Sequence, residues 1–180
     1  MGQVKGKIAV FCSASSDIKP EYNSVAREFI RLVTSRGYGI VSGGTIKGTM
    51  GEIADEVNLC GGYHLGVIPR FMQQYVYPQM SETVYTDTMA ERKTLLREDT
   101  LAVVALPGGI GTLDELIETF ALIHLKQYHG KIFVLNYNGF YNPLKVLLEH
   151  YVAEGMLCQE TMDKLVFAQT SEEILAQLDC

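Results

Sequence analysis

At 180 residues, 47% of them hydrophobic and 20% charged, the chain has the size and composition of a single domain with a full core, which argues against disorder. A net charge of −6 argues against nucleic acid as the main partner; nucleotides stay open, because they need only one local anion site. No apolar stretch approaches a membrane span, and the run Ile8 to Cys12 behind the polar, basic start Met1 to Lys7 is too short for a signal-peptide core.

Four cysteines, Cys12, Cys60, Cys158 and Cys180, lack C-x-x-C spacing and read as reduced thiols of a cytoplasmic protein. The histidines are scattered with no H-E-x-x-H pattern, so neither a metal nor a cofactor is called for.

In chain order, Lys7 to Ser13 reads as a first buried strand ending in the small polar run Ser13 to Asp17. Ser13 there suits either a ligand contact or turn chemistry. A helix from Pro20 to Gly37 follows, with Val25, Ala26, Phe29, Ile30 and Val33 on one face. Tyr38 to Ser42 is a second strand, then the glycine loop Gly43-Gly44-Thr45 to Gly51, then a helix from about Glu52 to Asn58. His64 to Pro69 is a third strand. Arg70 to Gln79, with Phe71, Met72, Tyr75 and Tyr77, reads as an apolar lid or a partly buried connector, and Glu82 to Tyr85 as a short strand.

The next helix opens at Thr88-Met89 and carries Arg92 and Lys93. These neighbours point about 100° apart, so at most one is central to a site. On local pattern alone Glu91, Arg92, Lys93, Arg97 and Glu98 read as a solvated face. Thr100 to Leu106 is a strand, and Leu113, Leu116, Ile117, Phe120, Ala121 and His124 mark one helix face. Lys131 to Asn136 is another strand, Asn138-Gly139 a turn, and Asn142 to Glu154 a helix closed by Gly155. Leu165 to Ala168 is a last strand. Thr170 to Glu173 has capping-box spacing before a terminal helix, Ile174 to Leu178. The alternation predicts an α/β domain of three layers, Rossmann-like and doubly wound, on a mainly parallel sheet.

The most telling stretch is Pro107-Gly108-Gly109-Ile110-Gly111-Thr112-Leu113-Asp114-Glu115, between a strand and a helix. It is not the dinucleotide fingerprint G-x-G-x-x-G, because Asp114 stands where the last glycine belongs. The loop from Gly43 to Thr49 is not a P-loop, because no lysine follows Gly48. Glycines let a ligand approach the main chain, and the bare amides of a helix start attract anions. Two carboxylates, Asp114 and Glu115, are expected in the first turn, with a helix start favouring the ionised form of Glu115. A phosphate cradle followed by acids points to chemistry on a phosphorylated small molecule; a plain strand-to-helix turn is the bland alternative.

Taken together these motifs resemble the LOG family of cytokinin riboside 5′-monophosphate phosphoribohydrolases. P-G-G-x-G-T-x-x-E is complete as Pro107, Gly108, Gly109, Gly111, Thr112 and Glu115; M-x-x-R-K as Met89, Arg92 and Lys93; G-x-M-G as Gly48, Met50 and Gly51. Phe11 to Ser15 and Asn136 to Leu144 match too. The resemblance implies hydrolysis of a nucleoside 5′-monophosphate to free base and ribose 5-phosphate, with Arg92 and Glu115 catalytic. It implies a homodimer as well. Ser13, Gly43, Gly44, Thr45, Met89, Lys93 and Gly108, Gly109, Ile110, Gly111 and Thr112 are then the substrate-binding candidates. Departures occur at Ala121 to Leu125 and at Thr45, where a third glycine is common, and Glu82 is only a candidate for an acidic family position. These bear on the base, cytokinin or adenine. Two other classes stay open: a nucleotide-binding or sensing module without catalysis, and a pyridoxal-phosphate lysine decarboxylase.

Overall fold

A computed structural model describes residues 4–179. Met1 to Gln3 and Cys180, read above as part of a polar start and as a thiol, lie outside the described residues. Seven strands form one sheet: β1 (Lys7–Phe11), β2 (Gly39–Ser42), β3 (His64–Pro69), β4 (Glu82–Thr86), β5 (Ala102–Ala105), β6 (Lys131–Leu135) and β7 (Leu165–Ala168). Their order is β4-β3-β2-β1-β5-β6-β7, and every pair is parallel. The chain winds outward from β1 to β4, then returns to lay β5 against the other side of β1. The strand order therefore reverses between β1 and β5, where such sheets open a crevice at their carboxyl ends.

Both faces are covered, which is why the inner strands are continuously apolar. On one face Ile8, Val10, Ile40 and Val104 pack against α1 (Pro20–Ser35), α2 (Gly48–Leu59) and α7 (Ser171–Leu178) through Phe29, Ile30, Val33, Ile53 and Ile174. On the other, Ala9, Phe11, Val41, Val67 and Val103 meet α3 (Met89–Arg97), α4 (Ile110–His124), α5 (Asn142–Ala153) and α6 (Gln159–Met162) through Leu96, Leu116, Phe120, Leu148 and Met162. Adjacent residues of β1 thus serve opposite cores, as period-two geometry requires. No helix among the described residues is long and apolar enough to cross a membrane.

Several boundaries differ from the sequence reading. Helix α2 begins at Gly48, not near Glu52, because Gly48 adopts φ +54 and turns the chain against the backbone of Ala14 and Ser15. Helix α3 ends at Arg97, and Asp99 lies beyond it at φ 52. The four-residue α6 was not expected; no glycine or proline announces it, and it is held by burial of Thr161 and Met162. Thr170 caps α7 by accepting from the Glu173 amide at 3.3 Å, while Glu173 returns to the Gln169 amide, one residue earlier than the usual box. Thr88 and Glu91 repeat that arrangement at α3.

The segment after β3 is a strap. Residues Arg70–Tyr75 make a 3-10 turn, and the chain then bonds to the loop after β2. The Ile46 amide donates to the Tyr75 carbonyl and the Tyr77 amide to the Gly44 carbonyl, both at 2.9 Å. Lys47 sits over the Tyr75 ring, and the buried Tyr77 donates its hydroxyl to Asp55 at 2.7 Å. The loop after β2 is thereby fixed from outside. Beneath it, Gly44 at φ +66 lies so close to β3 that a Cβ would come within 2.8 Å of Gly66 Cα. Gly61, at φ +63, faces open space. Gly61→Ala is expected to cost about 1–2 kcal/mol from conformation alone. Gly44→Ala adds a backbone collision and should exceed it by about 1–3 kcal/mol. Urea denaturation of the two variants checks the order.

Candidate active site

Three carboxyl-terminal loops meet at the strand-order reversal, after β1, β2 and β5. The β5 strand continues as Leu106-Pro107-Gly108-Gly109 and enters α4 at Ile110. No side chain caps α4 and no acid lies in its first turn. Both carboxylates were expected in that turn; because the helix starts at Ile110, Asp114 and Glu115 fall in the second. Dipole complementation fades beyond the first turn and so does not account for them. A Cβ on Gly109 or Gly111 would meet nothing within 4 Å, and Ile110 is 82% exposed. The start of α4 is therefore open around its glycines, and its first amides have no capping side chain. Gly108 is different: a Cβ there would collide with the Thr112 hydroxyl, which is buried under the turn and has no hydrogen-bond partner.

Glu115 points inward from α4 to meet Arg92 of α3. Arg92 donates from Nη1 to Glu115 Oε1 at 2.6 Å and from Nε to the Val67 carbonyl at 3.1 Å. The two side chains are only 8% and 9% exposed. Burial pushes the Glu115 carboxyl above the ordinary glutamate range, and the Arg92 charge offsets that only in part. This corrects the expectation that the helix start sets its ionisation: desolvation outweighs a dipole one turn away. The far side of the guanidinium rests on Gly43, where any Cβ would strike Nη2 and lie 2.7 Å from Met50 Sδ.

The other candidates divide sharply. Lys93 turns away from Arg92, as adjacent helical residues do, and pairs with Asp114 at 3.1 Å and with Glu118. Met89 opens α3 and is 42% exposed. Ser13 accepts from the Ser15 amide at 3.0 Å, so its hydroxyl shapes the turn after β1. The Gly44 amide donates to Ser42 at 3.2 Å, and the Thr45 hydroxyl is directed at Met50 Sδ. The polar groups at 44 and 45 are thus engaged within the protein. Glu82 lies on the edge strand β4, bonded to Tyr63 at 2.7 Å.

One set of residues beside the site had been given no role. Tyr141 donates its hydroxyl to the Leu106 carbonyl at 2.7 Å, just before the glycine turn. Asn136, buried at the end of β6, accepts from the Tyr141 amide at 2.7 Å and donates to Asn142 at 2.8 Å. The sequence signal was an asparagine immediately after a buried strand. A cavity of about 660 Å³ lies elsewhere, at the amino ends of β6 and β7 among Tyr128, Lys131, Cys158 and Lys164. It contains no member of the Arg92–Glu115 pair.

The pair makes a stability prediction. Glu115→Ala or Arg92→Ala leaves one buried charge without its partner and should cost about 3–5 kcal/mol. The double replacement Arg92→Met with Glu115→Leu should cost far less than the sum. Equal additivity in chemical denaturation would show that the two charges do not depend on each other.

A family model described as possible lysine decarboxylase matches residues 50–178. A cytokinin riboside 5′-monophosphate phosphoribohydrolase of Arabidopsis thaliana is 31% identical over 175 residues, 96% of this chain and 81% of that protein. One from Mycobacterium tuberculosis is 31% identical over 173 residues, 93% and 90%. Among solved structures, TM1055 aligns with TM-score 0.74 at 23% identity, covering 97% of this chain and 98% of that one. The molybdenum cofactor carrier protein of Chlamydomonas reinhardtii aligns with TM-score 0.75 at 18% identity, covering 97% and 96%. These two likenesses establish the fold. From the family model and the relatives together, the chain belongs to the LOG family, the family of the phosphoribohydrolases to which it is similar.

Proposed function

We propose that this chain hydrolyses the N-glycosidic bond of a nucleoside 5′-monophosphate, releasing free base and ribose 5-phosphate. The observation that carries the reading is a buried carboxylate–guanidinium pair one turn behind an open, uncapped helix start. The names of the relatives support it.

The 5′-phosphate docks on the amides of Gly109 to Thr112, where bare donors and the helix dipole favour an anion. The sugar then extends toward the second turn of α4. Cleavage builds positive charge at C1′ as the bond electrons leave with the base. Glu115, ionised, stabilises that charge and takes a proton from the attacking water. Arg92 keeps its charge throughout and holds the carboxylate in one orientation. Adenosine monophosphate and its prenylated cytokinin forms are the candidate substrates. A cytoplasmic homodimer is the assembly that goes with this reading, and light scattering on the purified chain tests it.

Lysine decarboxylation fits the site less well. A lysine that forms an imine needs a depressed pKa. Lys93, beside the site, has its ammonium favoured instead, chiefly by its hydrogen bond to Glu118.

Incubation with a panel of nucleoside monophosphates, with released bases identified by mass, tests the function. Base release is expected, with Glu115→Gln and Arg92→Ala each lowering kcat by about 10²–10³. Tight nucleotide binding with no base released would favour the non-catalytic module instead. The pH profile gives a second check. Glu115 faces Arg92 and Lys93 from α3, Cys12 from the end of β1, and Asp114 on its own helix. Its carboxyl titrates above the ordinary range, so activity should disappear as pH falls through that raised value. The acid limb of kcat/KM should therefore lie above about 4.3, the ordinary glutamate value. A limb at or below that value would remove Glu115 as the base.

A further inference from the structure

We infer that Glu118 is a positioning residue, clamping α3 to α4 so that Arg92 stays seated on Glu115. The inference rests on the function proposed above for its kinetic part, and on geometry for the rest.

Helix α3 is short. Of its nine residues, Arg92 and Leu96 are the buried ones. Against α4 it presents two tiers of charge. The inner tier is Arg92 with Glu115. The outer tier, one turn further along α4, is Glu118 with two cations of α3: Lys93, and Arg97 at 2.9 Å. Glu115 and Glu118 are three residues apart and so share a helix face, while Lys93 and Arg97 are four apart and share another.

Exposed ion pairs contribute little, but this tier is largely withdrawn from water. The Lys93 and Arg97 side chains are 16% and 13% exposed, and Glu118 is 31% exposed. Glu118 meets both cations. Lys93 has a second acid in Asp114, itself 56% exposed, whereas Arg97 otherwise bonds the Lys93 carbonyl and the Thr94 hydroxyl. Without Glu118, Arg97 loses its carboxylate and Lys93 keeps only Asp114, so two poorly hydrated positive charges lie side by side on α3 at the seam with α4. The relief available is for α3 to move outward into solvent, and α3 carries Arg92. A displacement near 1 Å suffices to spoil a catalytic geometry.

The clamp acts on Glu115 through the cations of α3, Arg92 first and Lys93 after it, so its loss has a signature that a merely structural role lacks. The groups that act on Glu115 most are Arg92, Asp114 and Lys93, with Cys12 beside it, and Glu118 points instead to Lys93 and Arg97. Moving the Arg92 charge away removes the influence that lowers the Glu115 pKa most.

The test uses the full chain with Glu118→Leu and the isosteric Glu118→Gln. Glu115 is titrated by carbon-13 NMR of labelled glutamate carboxyls, its signal assigned with Glu115→Gln. Glu118→Leu should raise the Glu115 midpoint by about one pH unit, with Glu118→Gln between it and wild type. With a nucleotide that the wild type cleaves, kcat should fall by about ten- to a hundred-fold. KM should stay within about twofold, because the phosphate cradle is untouched. If Glu118→Leu does not fold, Glu118→Gln alone decides. A Glu115 midpoint unmoved in a folded variant, or a rise in KM with kcat preserved, overturns the clamp. If the wild type releases no base from any nucleotide, the proposed function fails, and the Glu115 titration still decides the clamp.

Discussion

The structure depends on keeping one arginine charged and one carboxylate beside it in a place with little water. Burying two ions costs several kcal/mol each, and their attraction repays this only when the remaining donors and acceptors are also satisfied. Arg92 meets the condition by spanning three elements: it is anchored on α3, bonds α4 through Glu115, and bonds the β3 backbone through Val67. The Nη2 end of the guanidinium lies against Gly43. A glycine at the end of β2 is thus required by a side chain from another helix, and not by its own backbone angles. Replacing such a pair with hydrocarbon is often close to neutral for stability, which fits the catalytic role proposed for it.

The constraint spreads outward. If Gly43 must lie under Arg92, the loop after β2 must be fixed, and the strap from Arg70 to Tyr77 fixes it with backbone bonds at Gly44 and Ile46. Tyr77 in turn is tied to α2 through Asp55. On the far side of the crevice, Asn136 and Tyr141 hold the Leu106 carbonyl and so set where the glycine turn after β5 begins. Both edges of the site are braced by residues that touch no reacting atom.

Much of the fold was legible because buried parallel strands leave an uninterrupted apolar signature, and β3 and β7 were read to the residue. What could not be read were features set by contacts distant in sequence. The early start of α2 depends on Gly48 meeting the backbone of Ala14 and Ser15. Local pattern put Arg92 on a solvated face, and only the family resemblance moved it inward; nothing near it in sequence shows that Val67 and Glu115 await it. The tilt of Lys93 away from Arg92 was legible, since helix geometry alone demands it. The turn of α4 that holds Glu115 was misplaced because Gly109 lets the helix begin without a capping side chain, and a sequence reader has no cap to count from.

The two glycine loops look alike on paper and differ in space, and that difference orients the site. After β2, the Gly44 amide and the Thr45 hydroxyl are directed at Ser42 and Met50, and Gly43 is covered by a guanidinium. After β5, Gly109 and Gly111 have nothing over them, and no side chain or acid competes for the amides that follow. An incoming anion loses less on binding where donors are bare than where it must displace bonds already made. On the function proposed above, this favours the β5 loop for the phosphate, while the loop after β2 serves as a floor for Arg92. The buried Thr112 hydroxyl, without a partner, lies against Gly108 at the base of that turn. An unmade bond of this kind costs stability until something arrives to accept it. On the proposed function, a bound oxyanion would satisfy it after a small rotation of Thr112, together with the bare amides of the turn.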